Sequence, residues 1–152
     1  MIGRFRTGLA LAATAALLAG CGQGGGAAPV SAEDAALIAT LPAPFNTGNP
    51  ANGRVLFSLC SACHTVTPGG ANMVGPNLHG VFGRMAASKP DFAYSEALKA
   101  TGWTWDPQHL DTWMADPLRV LPGSKMVFVG LPDAKQRADL IAYLVIETND
   151  QP

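Results

Sequence analysis

The pentapeptide Cys60-Ser61-Ala62-Cys63-His64 constrains this chain more than any other stretch. On a helix, residues three apart share one face. Cys60 and Cys63 then offer two thiols side by side, with the His64 imidazole next along. A redox dithiol of the thioredoxin kind needs a strand before the first cysteine, and no strand pattern precedes Cys60. A structural zinc site takes four ligands, but the one other cysteine is Cys21, far upstream. Covalent haem attachment needs two thiols for the two vinyl groups of one porphyrin edge and an imidazole for the iron. C-x-x-C-H is the pattern for that attachment. One covalently bound haem c is expected, with thioethers from Cys60 and Cys63 and proximal ligation by His64.

The rest of the chain falls into three parts. Residues 1–20 have Arg4 and Arg6, then the short apolar run Leu9 to Ala19. This reads as an export signal, and the run is shorter than the roughly 20 apolar residues that span a bilayer. Its end, Leu18-Ala19-Gly20-Cys21, resembles the lipobox of bacterial lipoproteins. That resemblance implies a lipid on Cys21 and a location on the periplasmic side of a bacterial membrane, anchored without spanning. The alternative is ordinary cleavage nearby, leaving a free thiol. Residues 21–48 read as a flexible linker, Gly-rich at first and then broken by Pro29, Pro42 and Pro44. Such a chain spans roughly 30 Å, with a short amphipathic piece expected around Glu33 to Leu41.

Residues 49–152 read as the haem domain. Asn49 can cap a helix and Pro50 suits its first turn. Gly53, Leu56, Phe57 and Cys60 share a face of this helix, which delivers the C-x-x-C-H stretch at its end. A turn-rich stretch follows to Lys89. Helices are expected over 92–100 and 106–115, the latter stopped by Pro117. A loop covers 118–130. The clearest helix runs from Asp133 to about Thr148, with Leu140, Ile141, Leu144 and Val145 as its buried stripe. No stretch alternates like a strand. The expected class is all-α, with loop-rich helices wrapped around the haem.

Five stretches, in order, resemble the class I cytochromes c of the mitochondrial type. They are Gly53…Phe57 leading into Cys60–His64, Gly75-Pro76-Asn77-Leu78-His79-Gly80-Val81-Phe82-Gly83-Arg84, Tyr94 with Trp105, Pro122-Gly123-Ser124-Lys125-Met126, and Asp139 to Leu144. The resemblance implies the cytochrome c fold and several site residues. Met126, 62 residues after His64, matches the second axial ligand. Met73, Met85 and Met114 are left as gap-fillers or surface residues. Arg84, Tyr94 and Trp105 match positions near the haem propionates, where buried carboxylates need donors. Pro76 matches the proline whose carbonyl accepts from the proximal histidine. His79 is expected to be structural and His109 to face solvent. Gly53 and Phe57 are expected to pack across Leu140 and Tyr143.

The sequence also departs from that family. Trp113 stands where those proteins usually carry a tyrosine that donates to the ligand sulfur; an indole cannot copy that bond in the same way, which leaves the fine tuning of the potential open. Arg4 and Arg6 account for two of the ten basic side chains; the remaining eight face eleven acidic ones. The strongly basic docking face of the mitochondrial proteins is therefore not carried over, and no nucleic-acid partner is indicated. The expected function is transfer of single electrons by a non-enzymatic, monomeric carrier. Its expected partners are a cytochrome bc-type donor and a terminal oxidase or photosynthetic reaction-centre acceptor. The competing readings are a fixed electron-entry subunit of a dehydrogenase, and a haem ligand sensor or peroxidase.

Overall fold

Helix α7 (Ala134–Thr148) is the element on which the others assemble in the computed structural model, which describes residues 30–149. The expected signal over 1–20, Cys21 and the Gly-rich stretch after it lie outside the described residues. Before α7 come α1 (Ala32–Ala39), a 3-10 turn (Phe45–Thr47), α2 (Pro50–Leu56), α3 (Ser58–Ser61), α4 (Glu96–Lys99), α5 (Pro107–Ala115) and α6 (Pro117–Val120). No strand occurs among the described residues beyond one antiparallel bridge between Met85 and Thr104. The all-α expectation holds.

Local chemistry starts the helices. The Asn49 side chain accepts from the N–H groups of Ala51 and Asn52 at 3.0 and 3.3 Å. Asp106 accepts from His109 N–H at 2.7 Å, and Asp133 from Gln136 N–H at 2.9 Å. Each satisfies a donor that a helix start leaves unpaired. Pro50, Pro107 and Pro117 sit in first turns, where the missing N–H costs nothing.

Residues 138–145 of α7 are all buried. One apolar stripe cannot explain that, because at 3.6 residues per turn eight consecutive positions cover the whole circumference. Leu140 and Leu144 face a large cavity. Ala138 and Ala142 lie on the far side of the helix and meet Gly48 so closely that a Cβ there would sit 2.7 Å from the Ala142 Cβ. Gly53 of α2 does the same beside them: its Cβ would lie 2.6 Å from the Tyr143 Cβ and against the Asp139 carbonyl. The expected crossing of the first and last helices of the haem domain is therefore backbone-close, with the Phe57 and Tyr143 rings 5.3 Å apart. Asp139 ties the crossing together. Its carboxylate accepts from the Asn49 N–H at 2.7 Å and the Asn52 amide at 2.7 Å, and pairs with the Lys135 ammonium.

The structure corrects the linker. From Ser31, whose hydroxyl accepts from Asp34 N–H at 3.0 Å, the chain is folded. Ile38, Leu41 and Phe45 are buried, and α1 and the 3-10 turn pack on α7. Residues 31–48 of the flexible linker expected over 21–48 are therefore folded, and the domain begins well before Asn49. Proline spacing made this stretch read as a tether. What folds it is the second apolar face of α7, a tertiary feature.

Three smaller corrections follow. The helix that carries the pentapeptide is interrupted at Phe57, dividing it into α2 and α3. The helix expected over 92–100 is the single turn α4, capped by Ser95. Pro117 ends α5 as expected but also opens α6, with Asp116 accepting from Arg119 N–H at 3.1 Å.

Candidate functional site

The cavity against Leu140 and Leu144 has a volume of about 310 Å³. Its walls come from α3, α4, α5, α7 and the loops between them. Cys60, Cys63 and His64 enter from the end of α3, and Pro76 and Arg84 from the loop that follows. Tyr94, Trp105, Trp113, Met114, Met126 and Phe128 close it. All eight expected site residues within the described range thus line one space: Cys60, Cys63, His64, Pro76, Arg84, Tyr94, Trp105 and Met126. His79 and His109 do not line it. His79 instead lends its carbonyl to Arg84 and its N–H to Asn77. The half-exposed His109 ring stacks on Trp103, with Nδ1 3.0 Å from Asp106.

His64 Nδ1 lies 2.7 Å from the Pro76 carbonyl oxygen. A carbonyl can only accept, so Nδ1 carries the proton and Nε2 keeps its lone pair for a metal. Burial pushes the imidazole below its ordinary value, against the raising effect of the Pro76 bond, which favours the neutral, ligating form. Gly75 makes room for the ring, because a Cβ there would overlap it. Buried Asn77 holds this loop in place. Its amide donates to Thr65 Oγ1 at 2.7 Å and to the Thr67 carbonyl at 3.0 Å, and its oxygen accepts from His79 N–H at 3.0 Å. Sequence reasoning passed over Asn77, although it sits in the Gly-Pro-Asn-Leu motif.

Both pentapeptide cysteines are free, half-buried thiols. Burial, with the neighbouring Cys63, pushes the Cys60 thiol up to about 11. A redox C-x-x-C does the opposite, holding its reactive cysteine well below the ordinary value. Among the described residues no three His, Cys, Asp or Glu side chains converge as a metal-holding cluster. The dithiol and zinc readings both lose support.

On another wall, residues 83–86 and 103–105 pair through short backbone hydrogen bonds. Trp105 N–H donates to the Arg84 carbonyl at 2.9 Å and Gly83 N–H to the Trp105 carbonyl at 2.8 Å. This brings Arg84 and Trp105 to the cavity together. Burial lowers the Arg84 guanidinium, with Tyr94 acting against it. Burial raises the Tyr94 phenol, which Arg84 and a backbone hydrogen bond with Lys89 oppose. Charge-assisted donors are thus gathered in an apolar wall.

Met126 arrives on a loop turned at Gly123, whose φ of 87° suits a residue without a Cβ. Met126 N–H donates to Ser124 Oγ at 3.1 Å, and the Lys125 ammonium donates to the carbonyls of Ala93 and Tyr94 at 2.8 and 3.4 Å. Trp113, in the tyrosine's place, does reach the ligand sulfur. Its indole N–H donates to the Met126 sulfur at 3.0 Å across thirteen residues of sequence. Trp113 is buried and wedged against Trp103 and Trp105, with ring centroids 6.2 and 5.7 Å away. That packing aims the N–H, and ring chemistry alone could not foretell it. Met114, expected to fill a gap or lie at the surface, is buried and lines the same cavity, on α5. Among the described residues the indole donor goes to the Met126 sulfur.

The sequence model of the family described as Cytochrome c matches residues 50–146. Cytochrome c of Theileria annulata is 49% identical over 98 residues, covering 64% of this chain and 84% of the relative. Cytochrome c2 of Rhodomicrobium vannielii is 44% identical over 103 residues, covering 68% and 82%. Cytochrome c of Kluyveromyces lactis is 40% identical over 106 residues, covering 69% and 96%.

This chain belongs to the cytochrome c family.

Proteins of the cytochrome c family bind one covalent haem c, and the chain is a monohaem electron carrier. The residues present fit that group. Two thiols and an imidazole with its free nitrogen share an apolar cavity with a thioether held by an indole and with cationic and phenolic donors. Gly75 leaves the histidine the space it needs. The family match begins at residue 50, so the folded segment 31–48 on the back of α7 lies outside it.

Proposed function

We propose that this protein is a lipid-anchored cytochrome c on the periplasmic side of a bacterial membrane. It carries single electrons from a cytochrome bc-type complex to a terminal oxidase or photosynthetic reaction centre. The bound haem c supplies a one-electron iron couple. Cys60 and Cys63 would hold it by thioethers, and His64 and Met126 would ligate its iron, a pairing that raises the potential. Pro76 keeps the His64 proton on Nδ1 through each turnover. Trp113 fixes the Met126 sulfur and draws density from it. Arg84 would offset the charge of the propionates, and Tyr94 and Trp105 would donate hydrogen bonds to them. Because these groups are held by backbone hydrogen bonds and packing, they move little when charge changes, and an outer-sphere transfer needs little else.

The observation that carries this reading is that His64, with a free Nε2, and Met126, with its sulfur held, line the same cavity as both cysteines. Spectroscopy of the haem-loaded protein tests it. Met126→Ala should abolish the weak sulfur-to-iron charge-transfer band, lower the midpoint potential and admit carbon monoxide. Met114→Leu should leave all three unchanged. A band that survives Met126→Ala and disappears in Met114→Leu would assign the ligand to α5 instead.

The anchor reading rests on Leu18-Ala19-Gly20-Cys21. Among the described residues no helix is long and apolar enough to cross a membrane, so attachment by lipid is the route that reading requires. Mass spectrometry of the mature protein should find acyl chains on an N-terminal Cys21. An unmodified N-terminus further along would refute it.

A further inference from the structure

We propose that Trp103 is a positioning residue that holds the Trp113 indole on the Met126 sulfur and so sets how strongly that sulfur donates to iron. The inference rests on the reading that Met126 is an axial ligand.

Trp103 and Trp105 both pack on Trp113, but they stand in different places. Trp105 lines the haem cavity together with Trp113. Trp103 lines a separate surface hollow of about 280 Å³, with Gln108, His109, Thr112 and Val120. Trp103 therefore backs Trp113 from outside the haem cavity. Its ring meets that of Trp113 at 77°, with centroids 6.2 Å apart, and edge-to-face pairs of this kind are directional. Bound haem would fill the cavity side. The way left for Trp113 to turn its N–H off the sulfur is outward, where Trp103 stands.

Trp103 is itself held by several contacts. Its carbonyl accepts from Ala86 N–H at 2.8 Å, and its own N–H donates to Thr101 Oγ1 at 3.3 Å. The His109 ring lies against it with centroids 5.7 Å apart, tilted by 33°. His109 and Trp113 are four residues apart on α5 and share a face. The Trp103 ring touches both, so it is fixed to the helix that carries the donor. His109 is held in turn by Asp106, which accepts from its backbone N–H at 2.7 Å and lies 3.0 Å from Nδ1.

A small swing of the indole is enough to matter. The Trp113 N–H donates to the sulfur at 3.0 Å, and a hydrogen bond weakens steeply as its angle closes. A sulfur that loses its donor gives more density to iron and favours the ferric state. Hydrogen bonds to an axial ligand are one of the means by which a protein sets a haem potential.

A double-mutant cycle in the full-length, haem-loaded protein tests this. The readouts are the midpoint potential and the weak sulfur-to-iron charge-transfer band. Trp103→Leu should shift the preference of the iron about tenfold towards the ferric state, a fall of about 59 mV for one electron, and should move the band. Trp103→Phe keeps a ring against Trp113 and should restore most of both. In Trp113→Phe protein, which has no indole N–H, Trp103→Leu should lower the midpoint no further. Falls that add in the double variant would show that Trp103 acts by another route and overturn the proposal. So would a Trp103→Leu protein with the wild-type midpoint and band, whatever its loss of stability, which is the result a purely structural residue gives. Trp103→Met refills the site without a ring and takes the leucine variant's place in the cycle if that variant does not load haem. A wild type without the sulfur-to-iron band would refute Met126 as ligand and the proposal with it. A wild-type band with an unmoved midpoint in Trp103→Leu would refute the proposal alone.

Discussion

The two sides of α7 are built by opposite means. On the side of Ala138 and Ala142, small residues let backbone approach backbone, and Gly48, α1 and the 3-10 turn fill the space. On the side of Leu140 and Leu144, large side chains line a cavity of about 310 Å³ that the chain does not fill by itself. The back holds itself together; the front is arranged to receive something else. Close packing tolerates little change in volume, because an added methyl group has nowhere to go. A cofactor cavity tolerates more, but each polar group on its wall must have a partner.

Four substitutions can break or sharpen that contrast. The largest effect is expected for Gly53→Val in the haem-loaded protein. Its side chain would be driven into the Asp139 carbonyl and Tyr143, at a cost of about 3 kcal/mol or more. A denaturant midpoint left unchanged would mean that α2 and α7 can part freely, and that the back is not close-packed. Phe45→Ala comes next, at about 3 kcal/mol, because Phe45 is only 4% exposed. A negligible loss would return segment 31–48 to the status of a tether. Neither change should alter the visible spectrum at equilibrium in the absence of denaturant.

A smaller effect, about 1–2 kcal/mol, is expected for Asp139→Asn. Burial alone would raise this carboxyl, but the Lys135 ammonium, the Asn49 N–H and the Asn52 amide together hold it below the usual carboxylate range. Its contribution to stability is therefore complete above the unfolded value of about 4. It is lost as pH falls through the depressed folded value. Stability curves of the wild type and the Asn variant, measured against pH, should differ at neutrality and converge in acid. Parallel curves would show that the network carries no linked proton. A loss of about 1–2 kcal/mol is also expected for Trp113→Phe, because a phenyl is smaller than the buried indole it replaces and the N–H···S bond goes. Its distinguishing effect should appear at the front, as a lowered midpoint potential from a more donating sulfur. An unchanged potential would leave the indole a packing residue only.

How legible the site was in the sequence depended on the kind of constraint. The pentapeptide is local chemistry: two thiols and an imidazole at fixed spacing can be read without a fold. The cavity residues Pro76, Arg84, Tyr94, Trp105 and Met126 came from ordered motifs. The structure gathers them in one place, though nothing in composition separates Met126 from Met114. The Trp113 bond was not legible because side-chain identity alone does not give direction. Three tryptophans packed at steep angles to one another fix that direction.

What the sequence determined by itself is what short-range chemistry dictates. Helix starts at Asn49, Asp106 and Asp133 follow from side chains that cap their own backbone, and haem attachment follows from Cys60, Cys63 and His64. Only the tertiary structure decided the rest. It turned 31–48 from tether into packing, because α7 has a second apolar face that segment can reach. It aimed an indole at a sulfur, and it set Trp103 behind that indole. Each of these depends on residues distant in sequence being held at fixed relative positions, and only the packed chain supplies that.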